Sequence, residues 1–209
     1  QMSNQIACQK FPGKSLFRTN DSDAHLFGLE PHYGCCTANF SQGWPKLAYS
    51  TFMYKDDTVI NVVPIPSELK TENISIALET NYPFENSFRY TLSGKQDYTF
   101  KIRIPGFAQA LRVNGEAVSN CGELTFQVKA GEEQVIEVAF ETVPYMEKRP
   151  YDLYTVKCGS LVFSVPIAYD KVMFEYERNG VERKFPYCDY EYIPRTDWNY
   201  AYADATLKV

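Results

Sequence analysis

Two adjacent cysteines, Cys35 and Cys36, are the residues of this chain best suited to do chemistry. Neighbouring thiols can address one metal ion only where the backbone turns sharply enough to aim both sulfurs inward. Gly34 immediately before the pair and a helix start immediately after it offer such a turn. A helix N-terminus also favours the thiolate form through its partial positive charge. Spacing alone leaves three readings open: a pair of zinc ligands, a strained vicinal disulfide, or two inert buried thiols. A tetrahedral zinc site needs four ligands, and the local sequence does not supply a full set. His25 and His32 read as solvated loop histidines, and Glu30 as a surface or capping carboxylate. The other four cysteines, Cys8, Cys121, Cys158 and Cys188, lack the dense regular spacing of a small disulfide scaffold. Cys158 falls in an apolar strand pattern and is expected to be a buried small hydrophobe. Cys121 and Cys188 fall in turn-like contexts.

The elements around the pair come in two regimes. Residues 1 to about 50 are rich in loop formers, as in Phe11-Pro12-Gly13-Lys14 and Thr19-Asn20-Asp21-Ser22-Asp23. Within them, Thr37 to Ser50 reads as a helix with Thr37 as N-cap. Phe40, Trp44 and Leu47 share one helical face, where Trp44 is expected to pack, and Gly43 and Pro45 are expected to break or kink the helix. From about Thr58 the period becomes two. Ile74/Ile76/Leu78, Phe88/Tyr90/Leu92, Tyr98/Phe100/Ile102/Ile104, Leu124/Phe126/Val128 and Ile136/Val138/Phe140 each alternate with more polar residues. Asn114-Gly115 is the favoured type I′ hairpin signal, and Gly94-Lys95 and Ala130-Gly131 mark further turns. Many short strands with little helix between them predict a mainly β fold, an antiparallel β-sandwich of jelly-roll-like type. The segment from Pro186 to Val209 reads as irregular and aromatic, wrapping the sandwich or leading onward.

Composition excludes some functions. The 209 residues suffice for one domain, or for one domain and part of another. A net charge of −5 and the lack of any dense Lys/Arg cluster argue against a nucleic-acid partner. No apolar run approaches the ~20 residues of a membrane-spanning helix. No signal peptide is visible, which leaves localisation open and tilts the expectation towards the cytoplasm. Aromatic residues make up 15% of the chain, which suits sheet faces first and sugar stacking second.

The run Leu26-Phe27-Gly28-Leu29-Glu30-Pro31, then Gly34-Cys35-Cys36-Thr37-Ala38-Asn39 and Gln42-Gly43-Trp44-Pro45-Lys46, resembles the signature of glycoside hydrolase family 127. That family's founding activity is β-L-arabinofuranosidase. Further stretches agree in order: Asn4-Gln5-Ile6, Arg103-Ile104-Pro105-Gly106-Phe107-Ala108, Val113-Asn114-Gly115-Glu116, Gly159-Ser160-Leu161-Val162-Phe163 and Asp197-Trp198-Asn199-Tyr200. The resemblance implies an (α/α)6 barrel carrying the active site, followed by β-sandwich domains. Residues 1–50 would be the C-terminal remnant of the barrel, and residues 51–209 the sandwich. It further implies that Cys35 is the nucleophile of a retaining glycosidase and that Cys35 and Cys36 are zinc ligands, with a carbohydrate as substrate. The family's other ligands, a glutamate and a third cysteine, and its acid/base glutamate lie upstream of the pair. No Glu-x-Cys precedes Cys35 here, and Glu30 and Cys8 do not occupy those positions.

The chain by itself is therefore expected to be inactive, with zinc a cofactor of the longer parent. Exposure of Phe40, Trp44 and Leu47 would favour a homodimer through the N-terminal segment. The competing reading is a non-catalytic carbohydrate-binding or structural sandwich, since fold alone does not fix function.

Overall fold

The computed structural model describes residues 39–203, apart from residues 120, 187, 198 and 199. Within that range, residues 45–164 form one compact unit and residues 39–44 with 165–203 form another.

The larger unit is a β-sandwich. One sheet has four strands in the order β1 (Phe52–Lys55), β2 (Thr58–Asn61), β6 (Tyr98–Arg103) and β9 (Glu123–Val128). The other has six: β3 (Ser67–Lys70), β4 (Ile74–Glu79), β5 (Ser87–Gly94), β10 (Glu133–Glu141), β7 (Gln109–Val113) and β8 (Glu116–Ala117). Neighbours are antiparallel except β2 and β6, which run parallel with Val59 opposite Phe100. These two strands are joined through β3, β4 and β5 on the other sheet, a long crossover of the kind parallel pairing requires.

The alternation seen in the sequence becomes the core. In β4, β5, β6 and β10 every second residue turns inward, and Ile76, Tyr90, Leu92, Phe100, Ile102 and Ile136 are fully buried. Fully burying one such side chain is worth roughly 1.5–3 kcal/mol. The two sheets meet where the Tyr90 and Phe100 rings lie edge to face at 5.2 Å. The Tyr90 hydroxyl donates to Asn61 Oδ1 across the sandwich at 2.8 Å. Burial pushes the Tyr90 phenol well above its ordinary pKa.

Turn chemistry sets the registers. Asn114 and Gly115 both take positive φ (49° and 84°), the type I′ geometry that closes β7 onto β8. Asn114 Oδ1 also accepts the Glu137 amide at 2.8 Å, which fixes the hairpin to β10. At one end of the sandwich, Tyr82, Phe88, Phe107 and Phe140 form a ring cluster. A three-stranded sheet, β11 (Tyr145–Lys148), β12 (Tyr154–Cys158) and β13 (Leu161–Val162), packs there. Its turn residue Gly159 lies against Phe107 and Thr142, and Ser160 hydrogen-bonds the Tyr82 hydroxyl. Cys158 on β12 is half-buried, with Sγ 3.3 Å from Thr142 Oγ1.

The helix differs from its expected form. Residues 39–40 are helical, residues 41–42 form a turn, and helix α1 starts afresh at Gly43 and runs to Tyr49. The break therefore precedes Gly43. Pro45 sits in the first turn, where its missing N–H costs nothing. Phe40 and Trp44 are 81% and 73% exposed, so the expected packing of Trp44 is not found among the described residues.

In the other unit, β14 (Tyr169–Phe174) pairs with β17 (Asp189–Pro194), and β15 (Tyr176–Arg178) with β16 (Val181–Arg183). The segment from Pro186 is thus regular over Asp189–Pro194, contrary to the sequence reading. Tyr190 and Tyr192 alternate with their neighbours and face Met173 and Lys171 across the ribbon.

Candidate functional site

Cys35 and Cys36 lie outside the described residues, as do Cys8, His25, Glu30 and His32. The helix that follows the pair in sequence is described, and it is held from its C-terminal side. The Ser50 amide donates to the Lys46 and Leu47 carbonyls (3.1 and 3.0 Å), and the Thr51 hydroxyl donates to the Leu47 carbonyl at 3.3 Å. Thr51 is buried, and its carbonyl accepts Asn61 Nδ2 at 3.0 Å. Leu47 is the member of the Phe40/Trp44/Leu47 face that is partly covered.

Among the described residues no group of three or more His, Cys, Asp or Glu side chains could hold a metal ion. Cys121, Cys158 and Cys188 are free thiols. Cys121 lies exposed in the turn before β9, with its sulfur 2.9 Å from the Glu123 carbonyl. Cys188 is buried just ahead of β17. No described helix is long and apolar enough to cross a membrane.

Three carboxylates are held in their charged form by neighbouring cations. A hydrogen bond from Lys129 and one from the Ala130 amide hold Asp97 below the usual carboxylate range. Lys157 does the same for Glu147, and Arg195 for Asp170. These acids are kept charged, the reverse of what a general acid near neutral pH requires.

Two surface features could receive a ligand. A groove of about 490 Å³ opens where the β3–β4, β5–β6 and β9–β10 turns meet, lined by Lys70, Asn73, Ser93, Gly94, Lys95 and Glu132 among others. Its charges are mixed in sign, with Lys70 and Lys95 beside Glu72, Glu132 and Glu133. In the smaller unit Lys171 Nζ sits 3.9 Å above the Tyr190 ring, and Tyr169 meets Tyr192 edge to face at 4.8 Å. The lysine thus covers one face of the Tyr190 ring. Of the Asp197–Tyr200 motif, Trp198 and Asn199 lie outside the described residues, and Tyr200 is exposed.

Comparison with known proteins places this architecture. Residues 61–140 match the family model described as "Beta-L-arabinofuranosidase, GH127 middle domain". No curated protein matches significantly. Among solved structures, one described as a glycoside hydrolase is 17% identical with a TM-score of 0.55, over 79% of this chain and 37% of that one. A GH127 β-L-arabinofuranosidase from Geobacillus stearothermophilus T6 is 15% identical with a TM-score of 0.49, over 77% of this chain and 34% of that one. A GH127 β-arabinofuranosidase is 23% identical with a TM-score of 0.48, over 77% of this chain and 36% of that one. The chain thus spans little more than a third of each structure's length. The first of these similarities establishes a shared fold. The matched residues hold every member of the buried apolar cluster except Val59. Residues 61–140 of this β-sandwich are therefore similar to the middle domain of GH127 β-L-arabinofuranosidases.

Proposed function

We propose that the protein carrying this chain is a retaining glycoside hydrolase of L-arabinofuranosides or related plant glycans, with Cys35 as its nucleophile. The observation that supports this reading is the middle-domain match over residues 61–140, downstream of the adjacent Cys35-Cys36 pair. In this reading Cys35 Sγ attacks the anomeric carbon, the glycosidic C–O bond breaks, and a thioglycosyl intermediate forms. Water then displaces the sulfur and restores the starting configuration. This replaces the nucleophilic carboxylate of ordinary retaining glycosidases with a thiolate. The leaving oxygen needs a proton from a carboxylic acid, which the family resemblance puts upstream of the pair. Cys35 and Cys36 are donors of the type zinc prefers, and bound zinc would keep a thiol deprotonated near neutral pH. The sandwich would then be the scaffold that follows the reactive segment, and residues 1–209 alone would not turn over substrate.

The test is hydrolysis of an aryl β-L-arabinofuranoside by a longer polypeptide that includes this chain and the sequence upstream of it. Turnover that is lost with a chelator and restored by zinc is expected. A folded, zinc-loaded protein with no turnover would remove this substrate class.

A further inference from the structure

Among the described residues, the buried polar side chains are Thr51 and Asn61. Both lie where helix α1 gives way to the sandwich. Thr51 closes the last helical turn, its amide donating to the Ala48 carbonyl at 3.2 Å and its hydroxyl to the Leu47 carbonyl at 3.3 Å. Its own carbonyl receives the Val62 amide at 2.9 Å and Asn61 Nδ2 at 3.0 Å. The same amide nitrogen of Asn61 lies 3.3 Å from the Val63 carbonyl, and Asn61 Oδ1 accepts the Tyr90 hydroxyl at 2.8 Å. The bonds therefore run without a gap from the helix, through β2 of one sheet, to β5 of the other.

Among the described residues the helix has little else to hold it. None of its residues is buried. Its seven residues are too few to be helical alone in water, where roughly 12–15 are needed. A satisfied buried polar network contributes geometry more than net stability, because an apolar core residue would serve stability as well. An asparagine at the centre of an apolar core is thus explained by what it orients.

We propose that Tyr90, Asn61 and Thr51 form a latch through which the sandwich core holds helix α1, and that this latch opens without unfolding the core. Asn61 is its central positioning residue. The proposal concerns described residues alone and does not depend on the hydrolase reading.

Amide hydrogen exchange on the whole chain tests it. In Asn61→Leu, the Ser50, Thr51 and Val62 amides are expected to exchange about tenfold faster or more, as loss of two buried hydrogen bonds implies. Core amides in β5 and β10 are expected to change by less than about threefold. Tyr90→Phe keeps the ring and removes one bond, so it should give the same pattern at roughly threefold amplitude. If helix and core amides accelerate equally, the network serves global stability only and the proposal fails. Unchanged exchange at Ser50 and Thr51 also overturns it. Should Asn61→Leu not fold, the pattern in Tyr90→Phe decides.

Discussion

Replacing Gly94 with alanine isolates how tightly one end of the sandwich is built. A Cβ on residue 94 would lie 3.0 Å from Tyr98 Cε1 and 3.1 Å from the carbonyl oxygens of Asn73 and Gln96. None of these can readily retreat. Tyr98 is 1% exposed, and the Asn73 carbonyl is held by the Lys95 amide at 2.8 Å. The Gly94 carbonyl is itself fixed by the Gly131 amide at 2.8 Å. Overfilling a packed site costs about 1–3 kcal/mol. The added methyl also restricts the unfolded chain, a gain of about 0.4–1 kcal/mol. The cost wins, and Gly94→Ala should be destabilised by about 1–2 kcal/mol, lowering Tm by roughly 2–8 °C for a chain of this size. Gly106→Ala is the control. Its Cβ would meet nothing within 4 Å, so its Tm should hold or rise slightly. Thermal unfolding followed by circular dichroism reads both variants. A Gly94→Ala protein as stable as Gly106→Ala would refute the packing argument.

Three further outcomes follow from the same structure. Burial raises the Tyr98 phenol to about 12 and the Tyr90 phenol further still. An unfolded tyrosine titrates near ~10. The raised folded values mean that this stabilisation is complete below pH ~10 and is lost as pH rises towards and through them. Urea midpoints should therefore fall steeply above pH ~10, and less steeply in Tyr98→Phe. Asp97 shows the opposite sign, since Lys129 and the Ala130 amide depress its pKa. Its contribution is present above pH ~4 and lost as pH falls through the depressed folded value, so Asp97→Asn should flatten the acid limb of the same titration. Asn114→Ala loses the side-chain bond to the Glu137 amide and places alanine at φ 49°, so it should cost about 1–3 kcal/mol in urea unfolding, whereas Asn114→Gly should cost less.

The sequence made the sandwich legible because its central strands are wet on one side. In β5, Phe88, Tyr90 and Leu92 face the core while Ser87 and Arg89 do not, and that contrast is written in residue type. Strand β1 gave no such signal, because Met53 and Tyr54 are both exposed and the Phe-Met-Tyr-Lys run does not alternate. Strand β17 carried a real period in Tyr190 and Tyr192, but Pro186 and Pro194 at its flanks made the segment look irregular. The parallel β2–β6 pair could not be read locally, since it depends on an intervening excursion through the other sheet. Trp44 shows the limit of helical spacing: three residues on one face establish a stripe, and say nothing of what covers it. The latch at Asn61 was also missed. A lone asparagine at the end of a short strand is common, and only the fold brings Tyr90 and Thr51 to it. The chemistry of Cys35 and Cys36 was legible as a set of alternatives, and both residues lie outside the described ones.

The proposal that Cys35 acts as a nucleophile in the protein carrying this chain is tested most directly by kcat/KM for Cys35→Ser in the longer, zinc-loaded protein with an aryl β-L-arabinofuranoside. Serine keeps the size of the side chain but is far less ionised, so a fall of at least about a thousandfold is expected with the fold intact. Wild-type kcat/KM in a folded Cys35→Ser protein would contradict it.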